Sequence, residues 1–531
     1  MFGRFVSSVA GLVMAFLPAN PVTAQYDVLI RNGRVLDGTG NPWRLADVAI
    51  SDGRIARIGN LEAATATREI DASGQYVTPG FIDPHSHAGP GLTSNELSHA
   101  RPLIAQGITT IFVNPDGGGD VDLQQQRLEL MHDGLGTNVA LLVPHGSVRR
   151  EVLGMDDRAP TPTELEQMRS IVRRGMTHGA FGLSSGLYYA PGSYAETDEI
   201  IELARVAAEY GGIYTSHIRD EADYNIGVVA AVDEVIAIAR EANTTGIVSH
   251  IKVLGPRVWG YSQALIHRIQ RARDEGVQVF ADQYPYQASG TSIGGALLPR
   301  WAQVGGGDSL MARLADPIQR GRIRSDILEN LDRRGGAGRL QFQTHSADTS
   351  IEGRTMQEVA DARGLHPADL AIDLTLAGGA GLVSFNMLES DIEALMAQQW
   401  TMTSSDGGLT SLGRGVPHPR YYGTFPRKIR LYVKERGAIS LEHAVRSMTS
   451  LPASVMGLED RGLLVAGAVA DVVVFDLDEL RDTATYDRPH SYALGMTHVL
   501  INGEAVLSNG EFTDALPGKV LNKRSTTPLI P

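Results

Sequence analysis

Short apolar segments alternate with amphipathic helical patterns through the middle of this 531-residue chain, and this alternation constrains its fold more than any other feature. Helical periodicity is expected over 163–175, 198–210, 229–242 and 261–275. Strands are expected at 77–82, 109–113, 139–143, 181–183, 212–215, 246–249, 277–281 and 401–404. Eight strands separated by helices predict an α/β protein built on a TIM-like (β/α)8 barrel, whose chemistry takes place at the carboxyl ends of the strands.

Both ends of the chain instead have the pattern of short strands joined by tight turns. Asn32-Gly33 and Asp52-Gly53 are strong hairpin signals near the start, and Asn502-Gly503 is another near the end. We therefore expect one small β-sandwich domain assembled from residues 25–76 and 461–531. The barrel would span 77–460, with an insertion over its mouth at about 301–350, where Arg and Gly are abundant.

The first 24 residues have the pattern of a secretory signal peptide. Arg4 precedes the apolar run 5–17, and the small residues at 22–24 form a cleavage site before Gln25. The run is too short for a stable membrane anchor, and no later segment approaches the length of a bilayer span.

Cysteine is absent, which excludes disulfides and thiolate chemistry. The net charge of −14, with no block of Lys or Arg, disfavours binding of nucleic acid or of an anionic membrane. An exported, periplasmic protein fits these features.

Two histidines at i and i+2 end the first expected barrel strand, so both imidazoles can point to the same face. Further polar side chains follow later strands, and the whole set comprises His85, His87, Asp116, His217, His250 and Asp406. Each one alone also fits a hydrogen-bonded histidine or an ordinary turn aspartate. Their shared location at the carboxyl ends of the strands predicts a pocket that binds one or two zinc-like ions, with other divalent metals as alternatives.

Such a pocket predicts metal-assisted hydrolysis. A bound ion lowers the pKa of water towards about 7 and polarises a carbonyl group. Asp406 would then take the proton from the water and pass it to the leaving nitrogen. His145 follows the third strand and is expected to have a structural or supporting role.

Several longer motifs carry a family resemblance. They are the segments 79–87, 182–187, 191–195 and 284–286, then Ser405-Asp406-Gly407 and the segments 417–420 and 423–427. Over residues 26–520 the chain resembles the amidohydrolase superfamily, and within it the N-acyl-D-amino-acid deacylases (D-aminoacylases). This resemblance implies zinc, with His217 and His250 holding the tighter ion and His85 and His87 forming a weaker or vacant second position. It also implies that Asp406 is the acid/base.

The same resemblance assigns Lys252, Tyr284 and Arg420 to the α-carboxylate of the substrate. An ammonium and a guanidinium fork suit a carboxylate well. One departure concerns the metal: D-aminoacylases typically have a zinc-binding cysteine after the second strand, where this chain has Asp116. We therefore predict that the Asp116 carboxylate replaces the thiolate.

The expected activity is hydrolysis of the amide bond of small N-acyl amino acids, in particular N-acyl-D-amino acids. Dipeptides or other peptide-like amides with a free carboxylate are an alternative, as are cyclic amides and lactones. An inactive, ligand-binding homologue is a more remote alternative, because every expected catalytic residue is present. The acyl group, side chain and chirality of the substrate depend on loops around the barrel mouth.

Overall fold

The computed structural model describes residues 25–523. The signal peptide expected at 1–24 and the chain end from 524 lie outside the described residues, so cleavage and export stay predictions. Within 25–523 there is no helix of the length and apolar character needed to cross a membrane.

Eight parallel strands, one of them interrupted at Leu142, form the central barrel. They are Phe81–Asp83, Ile108–Val113, Asn138–Leu141 with Val143–Pro144, Gly182–Gly186, Ile213–His217, Gly246–Val248, Val279–Gln283 and Thr401–Thr403. The first and last strands meet through two backbone hydrogen bonds, from His87 N to Gly407 O at 2.8 Å and from Asp406 N to His85 O at 3.0 Å. The barrel thus closes through the backbone of the residues expected to carry the chemistry.

Helices surround this barrel. They are Gly89–Leu92, Arg101–Ile104, Leu123–Met131, His145–Leu153, Pro162–Thr177, Thr197–Glu209, Val228–Glu241, Ser262–Asp274, Glu389–Met396, Arg420–Arg427, Leu441–Met448 and Ser450–Met456, with a 3-10 turn at Gly192–Tyr194 and a π-helix at Lys428–Glu435. The four expected helices are confirmed, with ends shifted by at most two residues. Pro162–Thr177 begins at a capping box formed by Thr161 and Glu164 and buries Met168 and Val172 against the barrel.

The two ends of the chain share one nine-stranded sheet. Its strands are Gln25–Val35, Arg44–Ser51, Arg54–Gly59, Thr65–Asp71, Tyr76–Pro79, Val472–Phe475, Met496–Ile501, Glu504–Ser508 and Glu511–Phe512. The Asp52 and Asn502 turns are hairpins as expected, both with left-handed backbone. The expectation for Asn32-Gly33 is wrong: these residues form a bulge inside the first strand, where the register with its neighbour shifts.

The expected strand 77–82 is also corrected, because it is divided between two sheets. Tyr76–Pro79 pairs with Val472–Phe475 in the terminal sheet, with Val77 opposite Val474, and only Phe81–Asp83 belongs to the barrel. The break falls at Gly80, where a Cβ atom would lie 2.2 Å from the Thr109 Oγ1 atom. The close approach of these two strands therefore requires glycine.

A separate unit covers one side of the barrel mouth. Its antiparallel sheet comprises Ala288–Ser292, Leu340–Thr344 and Gly381–Phe385. Its helices are Ile293–Leu297, Gly306–Ala315, Pro317–Arg333, Met356–Arg363 and Pro367–Leu376, with 3-10 turns at Arg300–Gln303, Ala337–Arg339 and Thr349–Ile351. It has its own core, which includes Ile327, Phe342 and Leu382. The expected insertion at 301–350 lies inside this larger unit.

Lys428 is buried behind the last barrel strand and offers a test of stability against pH. Its Nζ atom donates to the hydroxyls of Thr403 and Ser447 at 2.8 and 2.9 Å, and no carboxylate of the described residues forms an ion pair with it. Burial lowers the pKa of Lys428 to about 7. Because its pKa in the unfolded chain is about 10.4, the unfolded chain binds more protons between these two values, and Lys428 makes stability rise with pH in that window.

We therefore expect Lys428→Met to have a larger free energy of unfolding than the parent protein, with the largest difference below pH 7. This difference, measured by urea unfolding, should be smaller at pH 9 than at pH 6 by roughly 2–3 kcal/mol. The neighbouring His443 does not titrate in this window, since burial lowers its pKa to about 4. Lys434→Met, at an exposed position, is the control. A difference that stays constant from pH 6 to pH 9 would contradict the expectation.

Candidate active site

The residues expected to carry the chemistry meet at one end of the barrel. Those that line its cavity, of about 2170 Å³, are His87, Asp116, His217, His250, Lys252, Tyr284, Asp406 and Arg420. His85 lies just beneath, only 1% exposed. Each ends or follows a barrel strand, stands in a loop or, for Arg420, begins a helix at the same end of the barrel. A parallel barrel brings its strand ends together there. The structure thus assembles all nine predicted site residues in one place.

One group of possible metal ligands comprises His85, His87, Asp116 and Asp406. The two Asp116 oxygens face different imidazoles: Oδ1 lies 3.4 Å from His85 Nε2, and Oδ2 lies 3.4 Å from His87 Nε2. Asp406 Oδ1 is 3.2 Å from His87 Nε2 and 3.7 Å from His85 Nε2. Two imidazoles and two carboxylates therefore converge on a common space.

A second group comprises His217, Glu221 and His250. The two groups meet at Asp116, whose Oδ1 is 3.5 Å from His250 Nε2. The His217 Nδ1 atom faces the carbonyl oxygen of Ile218 at 3.2 Å, which leaves its Nε2 atom for the cavity. Sequence reasoning missed Glu221. The available signal was its position four residues after His217, but it stands in a loop and not at the end of a strand.

Three of these side chains are presented by an unusual backbone. Asp116, His250 and Asp406 have φ values of +55°, +35° and +46°, in the left-handed region that non-glycine residues seldom occupy. Gly186 allows the close packing around the first of them, because a Cβ atom there would lie 2.1 Å from the Asp116 carbonyl oxygen. Such conformations persist only where the surroundings impose them, so these side chains are held in place before any ligand binds.

Neighbouring carboxylates hold the loops that carry Asp406 and His250. Asp83 accepts hydrogen bonds from Ser405 N at 2.9 Å and from the Ser405 hydroxyl, beside Asp406. Asp282 Oδ1 accepts from His250 N at 2.9 Å and from Ser404 Oγ at 2.5 Å. All five residues joined by these hydrogen bonds are buried, so the last strand and the His250 loop are fixed relative to each other.

The unpartnered atoms of the cluster fit a cation. His85 Nε2 and Asp116 Oδ1 are buried, have no hydrogen-bond partner and face each other. Such atoms are costly to bury unless something satisfies them. Imidazole nitrogens and carboxylate oxygens are ligands for zinc and for harder divalent metals, and no thiolate is available. The donor set therefore fits one or two divalent ions.

The charge balance agrees with this fit. Burial alone would raise the pKa of Asp116 and of Asp406, but the adjacent imidazoles and, for Asp406, the Arg420 guanidinium keep both pKa values well below the ordinary one. Burial alone would lower the pKa of His87, yet Asp116 and Asp406 raise it to about 9. Both carboxylates are thus kept ionised and draw a proton onto a neighbouring imidazole, and a bound cation would take the place of that proton.

Three donors face the other side of the cavity. The Arg420 guanidinium lies 4.7 Å from the centre of the Tyr284 ring, and Lys252 Nζ lies 5.5 Å from it. Arg420 Nη1 donates to Asp406 Oδ2 at 2.7 Å, whereas Arg420 Nε and the Tyr284 hydroxyl are buried without partners. His418 holds the start of this helix, since its Nδ1 atom accepts from Arg420 N at 3.0 Å. Two unpartnered donors and an ammonium in one corner fit an anionic ligand.

His145 is turned away from this cavity. It is fully buried, and its Nε2 atom faces Glu199 at 2.8 Å, next to the Arg149–Glu199 ion pair. The structure gives it the supporting position expected from the sequence.

Comparison with known proteins places the chain in a family. The model of the amidohydrolase family (Amidohydro_3) matches residues 68–507. The chain belongs to this amidohydrolase family. Its fold, a (β/α)8 barrel with a small β-sandwich, is also that of solved D-aminoacylase structures.

This amidohydrolase is similar to deacylases over nearly its whole length. It is 37% identical to an N-acyl-D-glutamate deacylase of Alcaligenes xylosoxydans xylosoxydans, over 94% of this chain and 96% of the relative. It is 34% identical to a D-aminoacylase of the same organism, over 93% and 97%. The structure of N-acyl-D-glutamate deacylase from Bordetella bronchiseptica, complexed with zinc and a phosphonate inhibitor, matches with a TM-score of 0.81 and 34% identity, over 94% of this chain and 100% of the other.

Proposed function

We propose that this amidohydrolase cleaves the amide bond of N-acyl-D-amino acids and releases a carboxylate and the free amino acid. One observation carries the proposal: a cluster that fits divalent cations lies beside a corner with unpartnered donors that fits a carboxylate. The substrates of the similar deacylases carry both required features, an amide and a free α-carboxylate, and their names supply the D configuration.

The substrate carboxylate would occupy the corner formed by Lys252, Tyr284 and Arg420. Arg420 Nε and the Tyr284 hydroxyl each gain the acceptor that they lack, and the Lys252 ammonium adds charge. Arg420 also contacts Asp406, so the residue that anchors the substrate touches the residue that handles the proton. This contact would set the distance between the α-carboxylate and the acid/base, so that the amide would lie next to Asp406.

His217 and His250 would hold one zinc ion, His85 and His87 would hold a second, and the Asp116 carboxylate stands between the two pairs. A bound ion supplies a Lewis acid that polarises the scissile carbonyl. Asp406, kept ionised by its surroundings, accepts the proton of the attacking water at Oδ1. It then gives this proton to the amide nitrogen as the C–N bond breaks, so the amine leaves neutral.

The unit over the barrel mouth would enclose the substrate. Gly290, Thr291, His345 and Gly379 from this unit line the cavity. Gly290 passes close to the carboxylate corner, because a Cβ atom there would lie 3.2 Å from Arg420 Nη2. Excluding water from this corner strengthens the pairing of the carboxylate with its cations.

The test is a panel of N-acetyl-D-amino acids, their L enantiomers, dipeptides and an N-acetyl amine that lacks the carboxylate, assayed by release of free amine from the zinc-loaded protein. We expect turnover that is selective for the D enantiomers. The kcat/KM for the N-acetyl amine should be at least about 100-fold lower than that for the N-acetyl-D-amino acid, because the loss of a charged hydrogen-bonded pair has an effect of this size. Turnover of dipeptides alone, or of no N-acyl amino acid, would overturn the proposal.

A pair of variants separates carboxylate binding from general damage. Arg420→Met should raise KM for the N-acetyl-D-amino acid, because the anchoring guanidinium is lost. Arg427→Met is the matched control: Arg427 lies on the same helix, pairs with Asp482 at 3.1 Å and is outside the cavity. The control should leave KM unchanged.

The proposal includes export to the periplasm. The N-terminal pattern at 4–24 supports cleavage before Gln25, and N-terminal sequencing of the protein from the periplasmic fraction tests it.

A further inference from the structure

We propose that Glu221 is a positioning residue that sets both the orientation of the His250 ring and the place of the Lys252 ammonium. The inference rests on the proposed function for the role of Lys252, and it adds a residue that the motifs did not single out. Glu221 is 5% exposed and lies between His217, His250 and Lys252.

The loop around Glu221 is built to hold it. The preceding Asp220 is fully buried and accepts hydrogen bonds from three backbone N–H groups, those of Ala222, Asn225 and Gly227, at 2.6–3.0 Å. The Glu221 carbonyl accepts from Leu254 N at 2.9 Å, which joins this loop to the segment carrying His250 and Lys252. The carboxylate is therefore fixed relative to both of its partners.

The first role concerns the two nitrogens of His250. Its Nε2 atom faces Asp116 in the cluster, while Nδ1 lies 3.2 Å from Glu221 Oε1. An imidazole offers a lone pair at Nε2 only when the proton is on Nδ1, and this N–H needs an acceptor. Glu221 is the acceptor. His217 differs, because a backbone carbonyl does the same for its Nδ1 atom, so only His250 depends on a side chain.

The second role concerns Lys252, whose Nζ atom lies 2.7 Å from the same His250 Nδ1 and 2.5 Å from Glu221 Oε1. An ammonium has donors only, so it cannot bond to a ring nitrogen that carries a proton. When the His250 proton is on Nδ1 and Nε2 is free for the cluster, the Nδ1–H group and the Lys252 ammonium both donate to the Glu221 carboxylate. The carboxylate thereby holds the ammonium on the side of the cavity where Tyr284 lies, and among the described residues it is the only carboxylate that pairs with Lys252.

The geometry favours this role over direct ligation of a metal. Oε1 is engaged on the Nδ1 side of the His250 ring, opposite to the nitrogen that faces Asp116. Oε2 is 4.0 Å from His217 Nε2. Carboxylates that bind the far nitrogen of a metal-binding histidine contribute typically 10–100-fold to metal affinity.

The test uses Glu221→Gln and Glu221→Ala, with zinc affinity measured by chelator competition and KM and kcat measured for an N-acetyl-D-amino acid. In Glu221→Gln the amide oxygen can still accept from His250, so we expect zinc affinity within about threefold of the parent and a KM raised about tenfold or more. Glu221→Ala should also weaken zinc binding about 10–100-fold. Glu234→Gln is the matched control, since this carboxylate is also buried but pairs with Arg219 outside the cavity.

Parent-like zinc affinity and KM in Glu221→Ala would overturn the inference. Equal loss of zinc in the Gln and Ala variants would overturn it too, because a direct ligand behaves in that way. If the Ala variant fails to fold, the Gln variant decides, through a raised KM at unchanged zinc affinity. The zinc measurements need no substrate, so they test the His250 role even if the proposed function fails.

Discussion

Asp406→Asn is expected to lower kcat by at least about 10³-fold, because it removes a proton acceptor that general acid–base catalysis uses twice. The carboxylate is buried, faces His87 and His85 through Oδ1 and is bonded to Arg420 through Oδ2. Asparagine has nearly the same shape, so the cavity should persist while proton transfer fails. The measurement is kcat for the best substrate of the panel, together with zinc content by elemental analysis.

Zinc held by the His217 and His250 pair should remain in this variant, since neither side chain depends on Asp406. The control is Asp391→Asn. Asp391 is equally buried but accepts from Gly260 N and Ser262 Oγ, outside the cavity. Its kcat should stay within about threefold of the parent, in line with the small effects of changes away from a site. A kcat for Asp406→Asn within tenfold of the parent would exclude Asp406 as the acid/base.

The barrel and the place of its chemistry were accessible from sequence because they depend on local patterns. Alternating strands and helices fix the order of the elements, and parallel strands bring their carboxyl ends to one face. His85, His217 and Asp406 are far apart along the chain, yet their positions just after apolar strands sufficed to group them. The family motifs then added Lys252, Tyr284 and Arg420, which no periodicity would have indicated.

What the patterns missed depends on contacts distant in sequence. Val77 and Phe81 belong to one apolar run, but Val77 pairs with a strand near the end of the chain and Phe81 with the second barrel strand, and Gly80 between them allows Thr109 to come close. Glu221 reaches His250 because Asp220 folds the loop between them, and this fold has no signature in the residue spacing. The unit over the mouth begins at Ala288, in a strand of Gly, Ser and Thr without an apolar pattern.

Asp116 carries the second large prediction, because it is the residue in which this chain departs from the D-aminoacylase motif. Its Oδ1 atom is shared between His85 and His250, and its Oδ2 atom faces His87. One carboxylate thus faces members of both histidine pairs, and it would supply a ligand oxygen to an ion held by either pair. We expect Asp116→Ala to lose at least one equivalent of metal and to lower kcat/KM by at least about 100-fold, comparable to the loss of a group that orients and stabilises a metal site.

The sharper variant is Asp116→Cys, which restores a thiolate in a chain that has no other cysteine. A thiolate is a softer ligand than a carboxylate, so the variant should shift its preference towards zinc and cadmium and away from manganese. Competition between zinc and manganese, followed by elemental analysis of parent and variant, measures this shift.

Asp120→Ala is the control, because it changes a carboxylate at the rim of the same cavity but outside both ligand groups. It should leave metal content and metal preference unchanged. If Asp116→Ala keeps its full metal content and rate, the carboxylate is a turn residue and the histidines alone hold the metal. If the alanine variant loses metal and the cysteine variant changes the preference, the oxygen ligand itself sets which ions this amidohydrolase accepts.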